Sequence, residues 1–411
     1  MKSIDTVIVG AGQAGLAMSF ALSERSVPHV ILERGEVANS WRTERWDSLR
    51  LLTPNWQSGL PGCPYAGPDP DAFMTMHEIT GFLSGYAARC AAPIGIRTTV
   101  RSVVRAGNEY RIFTNKCEWT CRNLVLASGA CNRASIPDFA AGIPAGIDQV
   151  SPLDYRNPSQ LRPGGVLIVG ASATGVQLAA EIRGAGHDVI LAAGHHIRMP
   201  RHYRGRDIQW WMDRSGLLST TTEEIDDLSR ARAVPSLQLV GDSESQFLDI
   251  NELQSRGVEI VGRLTDVRDG VGLFSGSLAN TAMLSDLMMN RALESFDNWA
   301  RVAGVAGLPE AERFPPTHIP DTPKLSIDLT RGRISTVIWA TGFRPDFDWL
   351  NLPVFDRKGR LAHHRGIVAP GLFVLGLPFL RSRKSSLICG VGADAIALAD
   401  RLVQSSFDRA A

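Results

Sequence analysis

An α/β fold of two Rossmann-like dinucleotide-binding domains, one inserted into the other, is the class that this 411-residue sequence predicts. Three observations carry it. A short β-branched run, Thr6 to Val9, enters Gly10-Ala-Gly12-Gln-Ala-Gly15 and continues with apolar residues at helical spacing. A second run, Val166 to Val169, enters Gly170-Ala-Ser172-Ala-Thr-Gly175 in the same manner. At roughly 150 residues per domain, the chain is also too long for a single core.

In the first unit each part has a physical task. Gly10 permits the tight turn out of the strand, Gly12 lets the backbone approach a pyrophosphate, and Gly15 lets helix and strand pack closely. The helix N-terminus then faces the phosphates. A second strand, Val30-Ile31-Leu32, ends in Glu33, near the distance at which a carboxylate accepts hydrogen bonds from ribose hydroxyls. Strand, helix and acid agree, and a bound dinucleotide follows.

The second unit repeats the first with one chemical change. Val189-Ile190-Leu191 aligns with the earlier strand, and Ala192 stands where Glu33 stood. Loss of the carboxylate removes the ribose contact and also the repulsion that would exclude a 2′-phosphate. Ser172 in place of the middle glycine still admits backbone approach. Downstream lie Arg198, Arg201, Arg204 and Arg206, and guanidinium groups suit bidentate phosphate contact. Arg198 and Arg201 are the candidates for the 2′-phosphate, the competing reading being that some of the four pair with Asp207 and Asp213. Two units that differ at this acid imply two different dinucleotides, FAD at the first site and NADPH at the second.

Composition narrows the function. Lys and Arg number 43 against 42 Asp and Glu, so a net charge of +1 gives no reason to expect nucleic acid or an anionic membrane as partner. Six cysteines without a CxxC pair fit a reducing, cytoplasmic compartment. No uninterrupted apolar run reaches the roughly 18 residues of a membrane span. His195, His196 and His202 lack the carboxylate and cysteine company of a metal site, so no metal is expected.

Further motifs extend the pattern. Val337-Ile338-Trp339-Ala340-Thr341-Gly342 is a strand with an "ATG" turn, Leu124-Val-Leu-Ala127-Ser128-Gly129 is a weaker copy, and Leu372-Phe-Val-Leu-Gly376 leads to a last helix near Gly390. Thr98 to Leu126 reads as short strands parted by Gly107-Asn108 and Asn115-Lys116. Together these resemble the two-dinucleotide-binding flavoproteins, and within them the flavin-containing monooxygenase-like, class B group. The resemblance implies that the chain crosses between domains near Gly129 and Gly342, and that Gly376 belongs to the flavin-contacting strand. It further implies that Trp41 and Arg42 line the flavin and that the amide of Asn55, in Leu51-Leu52-Thr53-Pro54-Asn55, stands beside flavin C4a as the catalytic group. The FxGxxxHxxx(Y/F) signature is only partly kept, with Tyr155 present and Ser151 at the histidine position.

The implied organisation is an FAD-binding domain over 1–160 and 325–411, with an NADP-binding domain and helical insertion over 161–324. The implied activity is that of an NADPH- and FAD-dependent monooxygenase. It would insert one oxygen atom of O2 into a small organic substrate through a flavin C4a-hydroperoxide. N- or S-oxygenation, hydroxylation and Baeyer–Villiger insertion are all open, and a homodimer is compatible with the reading. The competing readings are an NADPH-dependent flavoprotein reductase serving a protein or quinone, and a non-enzymatic nucleotide-binding redox sensor.

Overall fold

The structure is a computed structural model and describes residues 1–242 and 247–410. The chain begins with β1 (Lys2–Val9), α1 (Gln13–Ser23), β2 (His29–Leu32), the short α2 (Asn39–Thr43) and α3 (Met76–Arg89). β3 (Ile94–Gly95), β4 (Val100–Ala106), β5 (Glu109–Thr114) and β6 (Glu118–Leu126) follow. The β4-β5-β6 meander turns at 107–108 and 115–117, where Gly107 takes φ +62°. β6 then leaves the meander to pair in parallel with β1, so Val9 is opposite both Leu32 and Leu126. Three strands therefore end at one edge.

A second sheet is built next, from β7 (Asp148–Val150), β8 (Gly165–Val169), β9 (Val189–Ala193), β10 (Glu259–Gly262) and, after the insertion, β14 (Ile334–Trp339). All its pairings are parallel, in the order β10-β9-β8-β14-β7. α4 (Ala173–Gly184) joins β8 to β9. β11 (Leu264–Arg268), β12 (Val271–Phe274) and β13 (Ser326–Asp328) form an antiparallel meander. Successive residues of β8 face opposite cores: Val166 and Ile168 join Leu191, Ile260 and Ile338 on one side, while Leu167 and Val169 join Ile190, Val261 and Trp339 on the other. Both faces are buried, which is why these strands read as unbroken apolar runs.

The insertion carries α5 (Ile208–Arg214), α6 (Leu228–Arg232), α7 (Ile250–Ser255) and the long α8 (Leu278–Val302). Helix α8 buries Leu278, Ala282, Ser285, Met289, Leu293, Phe296 and Ala300, a spacing of three and four that defines one face. That face packs on Tyr203 and Trp211, whose rings are 5.7 Å apart. The chain then returns to the first sheet through β15 (Ile367–Ala369) and β16 (Leu372–Val374), and ends in α9 (Ile388–Ala410), which lies along α1. No described helix is long and apolar enough to cross a membrane.

Sheet membership moves the expected domain boundaries. β7 and β14 lie outside 161–324 yet belong to the second sheet, because β14 pairs with both β8 and β7. Close to the expected crossings at Gly129 and Gly342, Arg133–Ala134 and Phe343–Arg344 pair antiparallel, stitched by the Ser135 amide donating to the Gly342 carbonyl at 2.9 Å.

Candidate functional site

The loop after β1 is held by two close approaches. Gly10 takes φ +107°, and a Cβ on it would stand 2.5 Å from the Ala127 carbonyl oxygen. A Cβ on Gly15 would lie 1.9 Å from the Gly10 oxygen. Gly12 differs, since nothing lies within 4 Å of the place its Cβ would take. It caps α1, whose first turn has no acidic residue. Open backbone at a helix N-terminus is a cradle for a pyrophosphate. Glu33 reaches the same loop, its two oxygens accepting the Ala11 amide at 2.7 Å and the Gly35 amide at 2.9 Å. Carboxylate oxygens have further lone pairs for ribose hydroxyls.

Other expected residues gather around this cradle. Trp41, on α2, donates its indole N–H to Gln13 Oε1 at 3.2 Å, so the ring is tied to the first residue of α1. Arg42, next to it, is exposed. Gly376 follows β16 with φ +81°, and its Cβ would be 2.9 Å from Ala14 Cβ, so the chain passes close over the start of α1. Gly129 leaves the end of β6 at φ +95°.

Asn55 sits in the single turn Asn55–Gln57 and is buried. Its amide nitrogen donates to the Asp69 carbonyl at 2.9 Å and to Tyr65 Oη at 3.3 Å. Both N–H groups are thus spent on the loop itself. What remains without a partner is Oδ1, which is an acceptor.

The neighbours of Asn55 are more telling. Gln57 is 2% exposed, and among the described residues neither its amide oxygen nor its amide nitrogen has a partner. The adjacent Ser58 Oγ is also buried and unpartnered, as is Ser128 Oγ, which lies beside Gly10. Leaving such a group unsatisfied costs about 1–3 kcal/mol, so a cluster of them marks a place completed by a ligand. The segment bridges the two halves of the molecule. On one side Arg201 donates to the Leu52 carbonyl at 2.8 Å and Gly241 packs against Leu51. On the other, Pro61 meets Gly392 of α9 and Gly62 meets Phe20 of α1. Open cradle, strand-end acid and unpartnered polar cluster fit FAD. Sequence reasoning passed over Gln57 and Ser58 because nothing in their spacing distinguishes them from loop residues.

The second loop copies the first. Gly170 takes φ +111°, a Cβ on Gly175 would be 1.8 Å from the Gly170 oxygen, and Ser172 caps α4 with φ −82°, close to −85° at Gly12. Beside it opens a cleft of about 810 Å³, lined among others by Gly170, Ala192, Gly194, His195, Arg263 and Arg344. It lies at the carboxyl edge of the parallel strands, where nucleotides bind in such sheets.

The basic residues of this cleft are not those expected. Arg198 is 2% exposed and is held by Asp249 at 2.7 Å, Asp286 at 2.8 Å and the Pro315 carbonyl at 2.8 Å. Arg201 is 1% exposed, paired with Asp207 at 2.5 Å, and stacked on Phe73. Neither lines the cleft; desolvated guanidinium groups need acceptors, and carboxylates of the insertion supply them. Arg263 and His195 do line it, both exposed. Arg263 follows β10, the third strand of this unit, and its stem packs on Gly194. A strand-end position shared with Ala192 is the signal that could have found it. With Ala192 and the loop, these residues fit the adenosine end of NAD(P)H.

The six cysteines are all free. Burial pushes the Cys121 thiol up to about 12 and the Cys389 thiol up to about 11, and raises Cys90 and Cys131 as well. Thiols so placed are poor nucleophiles.

The family model for pyridine nucleotide-disulphide oxidoreductases matches residues 7–213. A Geobacillus kaustophilus protein described as an uncharacterized oxidoreductase, CzcO-like, is 30% identical over 95% of this chain and 96% of its own. The Arabidopsis thaliana protein named probable indole-3-pyruvate monooxygenase YUCCA3 is 28% identical over 49% of this chain and 48% of its own. Among solved structures, a flavin-containing monooxygenase from Stenotrophomonas maltophilia aligns over 98% of this chain and 99% of its own, with a TM-score of 0.65 and 20% identity. The Staphylococcus aureus bacillithiol disulfide reductase aligns equally fully, with a TM-score of 0.57 and 12% identity. At such identities the likeness is one of fold.

Proposed function

From the premise that the chain belongs to the pyridine nucleotide-disulphide oxidoreductase family, we propose that this flavin-dependent oxidoreductase is an FAD- and NADPH-dependent monooxygenase. The net reaction would be substrate + O2 + NADPH + H+ giving oxygenated substrate, water and NADP+, with an amine nitrogen or a thioether sulfur as the first substrate class to try.

The observation that carries this reading is the buried polar set of 55–58, in a segment whose flanks, Leu51–Leu52 and Pro61–Gly62, touch the insertion on one side and α1 and α9 on the other. FAD, when bound, supplies a two-electron carrier able to accept hydride and to activate O2. The chain's part is binding and dryness. Gly12 and the N-terminus of α1 hold a pyrophosphate, Glu33 orients the ribose, and Arg263 with His195 meets the 2′-phosphate. Gln57 and Asn55 Oδ1 would orient polar atoms at the junction, while the surrounding packing excludes water. One further fact supports the choice over disulfide reduction: burial raises four of the six thiols.

The test is anaerobic reduction by NADPH followed by a pulse of isotopically labelled O2 with amines, sulfides or ketones present. Label in the product supports the oxygenase. Stoichiometric hydrogen peroxide with every substrate, or electrons passed only to a quinone or protein, would make it a reductase.

A further inference from the structure

Outside both nucleotide clefts, a cavity of about 170 Å³ lies where the insertion meets the returning part of the first domain. Its walls include Thr222 and Glu223, Arg232 at the end of α6, His363 and Arg365 in the turn before β15, and Leu380. The walls are tied together by the backbone. The Thr222 amide donates to the Arg381 carbonyl and the Arg383 amide to the Thr220 carbonyl, both at 3.0 Å.

The lining offers donors and few free acceptors. Arg232 donates one terminal N–H to the Phe379 carbonyl at 2.9 Å, and its Nε is buried with no acceptor. It has no ion pair among the described residues. Arg365 spends Nη1 on Glu223, and its Nε is likewise buried without an acceptor. His363 Nδ1 accepts the Gly366 amide at 3.4 Å, which leaves the proton on Nε2 and makes that atom a donor. Burial and the nearby Arg232 lower the His363 pKa to about 4, so the ring is neutral.

Most of the surrounding carboxylates are taken: Glu223 serves Arg365, Asp356 serves Arg360 and Asp227 caps α6. Asp394, 3.9 Å from Arg381 and near Arg365, keeps one buried oxygen without a partner, and burial raises its pKa toward the neutral acid, so it does not neutralise the arginines. His364 also lines the cavity, Arg360 lies close enough to Arg232 to repel it, and Arg383, over the ring of Phe379, has a buried, unpartnered Nε. Backbone strain is retained here too: Arg365 has φ +50° and Phe379 has φ +46°, conformations that side-chain-bearing residues rarely keep without reason. A half-buried guanidinium beside a second one, with no carboxylate to itself, is completed by an anion.

We propose that this cavity binds a small oxyanion, a carboxylate or a phosphate group, with Arg232 as its principal ligand and Arg365 and His363 as companions. The bound anion offsets the repulsion between the arginines. It also clamps the insertion onto the segment that leads from Gly376 into α9.

The test uses the full FAD-loaded chain saturated with NADP+, so that the second cradle is filled. Inorganic phosphate, and acetate in a separate arm, are titrated by calorimetry and by melting temperature against chloride of equal ionic strength. Saturable binding and a rise in Tm are expected for phosphate or acetate and not for chloride; the tighter of the two identifies the ligand class. Arg232→Gln should weaken that binding at least tenfold. Its Tm without anion should be equal or higher, because an uncompensated cation has gone. Arg365→Gln, which leaves Arg232 in place, should weaken binding less. No saturable binding by either probe, or wild-type affinity in folded Arg232→Gln, would overturn the proposal. So would a fall in its Tm by the same amount with and without anion, which marks a structural arginine.

Discussion

A Cβ on Gly15 would lie 1.9 Å from the carbonyl oxygen of Gly10, whereas one on Gly12, between them, would meet nothing within 4 Å. Equal-looking glycines therefore have opposite consequences. Gly15→Ala forces the helix from the strand and should lower Tm markedly, with any flavin loss secondary. Gly12→Val should leave the apoprotein's Tm and circular dichroism near wild type while abolishing the yellow, flavin-bound form, because the side chain takes the pyrophosphate's space. Normal flavin content in Gly12→Val would refute the cradle.

Arg263 and Arg198 separate binding from folding in the same way. Arg263→Ala should lose a charge-assisted contact of about 1.5–3 kcal/mol, roughly a tenfold to hundredfold fall in preference for NADPH over NADH, with little change in Tm. Arg198→Ala leaves the buried Asp249 and the half-buried Asp286 without their cation, and should cost about 3–5 kcal/mol of stability. Steady-state kinetics with both coenzymes and a denaturant titration check the pair. Unchanged coenzyme preference in Arg263→Ala would return the 2′-phosphate to other residues.

Gln57→Leu should act with opposite signs on the two forms. In apoprotein it removes two unsatisfied buried groups, so stability should hold or rise. With FAD the hydrogen bonds to the cofactor disappear, and flavin dissociation should quicken roughly tenfold, with a shifted visible spectrum. Asn55→Ala, which frees the Tyr65 and Asp69 loop, should destabilise both forms. Equal destabilisation of both forms by Gln57→Leu would make that residue structural as well.

Acid should weaken the fold from a specific side. His29 and His196 are buried, and their pKa values are lowered by that burial, as is His363, to about 4. A histidine whose folded pKa is depressed binds its proton more readily when unfolded, so stability is full above the unfolded value of about 6.5 and is lost as pH falls toward the folded value. Each contributes up to about 1.4 kcal/mol per pH unit within its window. Urea titrations between pH 7 and pH 4.5 should show the decline, and His363→Gln should flatten it in part. A profile level over that range would contradict the neutral burial of these rings.

Much of this molecule was legible in the chain before any contact was known. The two glycine loops, Glu33 against Ala192, the meander of 98–126 and the helical character of the insertion follow from local rules: turn sterics, strand alternation and helical spacing act between near neighbours. Asn55 was legible as a residue in the right segment, and the meaning of its amide was not, because Asp69 and Tyr65 lie ten or more positions away and consume its protons.

What the tertiary structure alone decided is how charges and polar atoms are spent. A sequence displays Arg198, Arg201 and Arg263 as equal cations, but burial imposes a desolvation cost that only distant carboxylates can offset. Asp249 at the N-cap of α7 and Asp286 of α8 come to Arg198, Asp207 turns back on Arg201, and Arg263 at the strand end has no ion pair among the described residues. Among the described residues, the same bookkeeping leaves Gln57 without partners and Arg232 without a carboxylate. Local pattern determined where the chain turns and which cradles form; the packing of segments far apart in sequence determined which side chains remain available for a ligand, since availability is what survives after every buried group has found its partner.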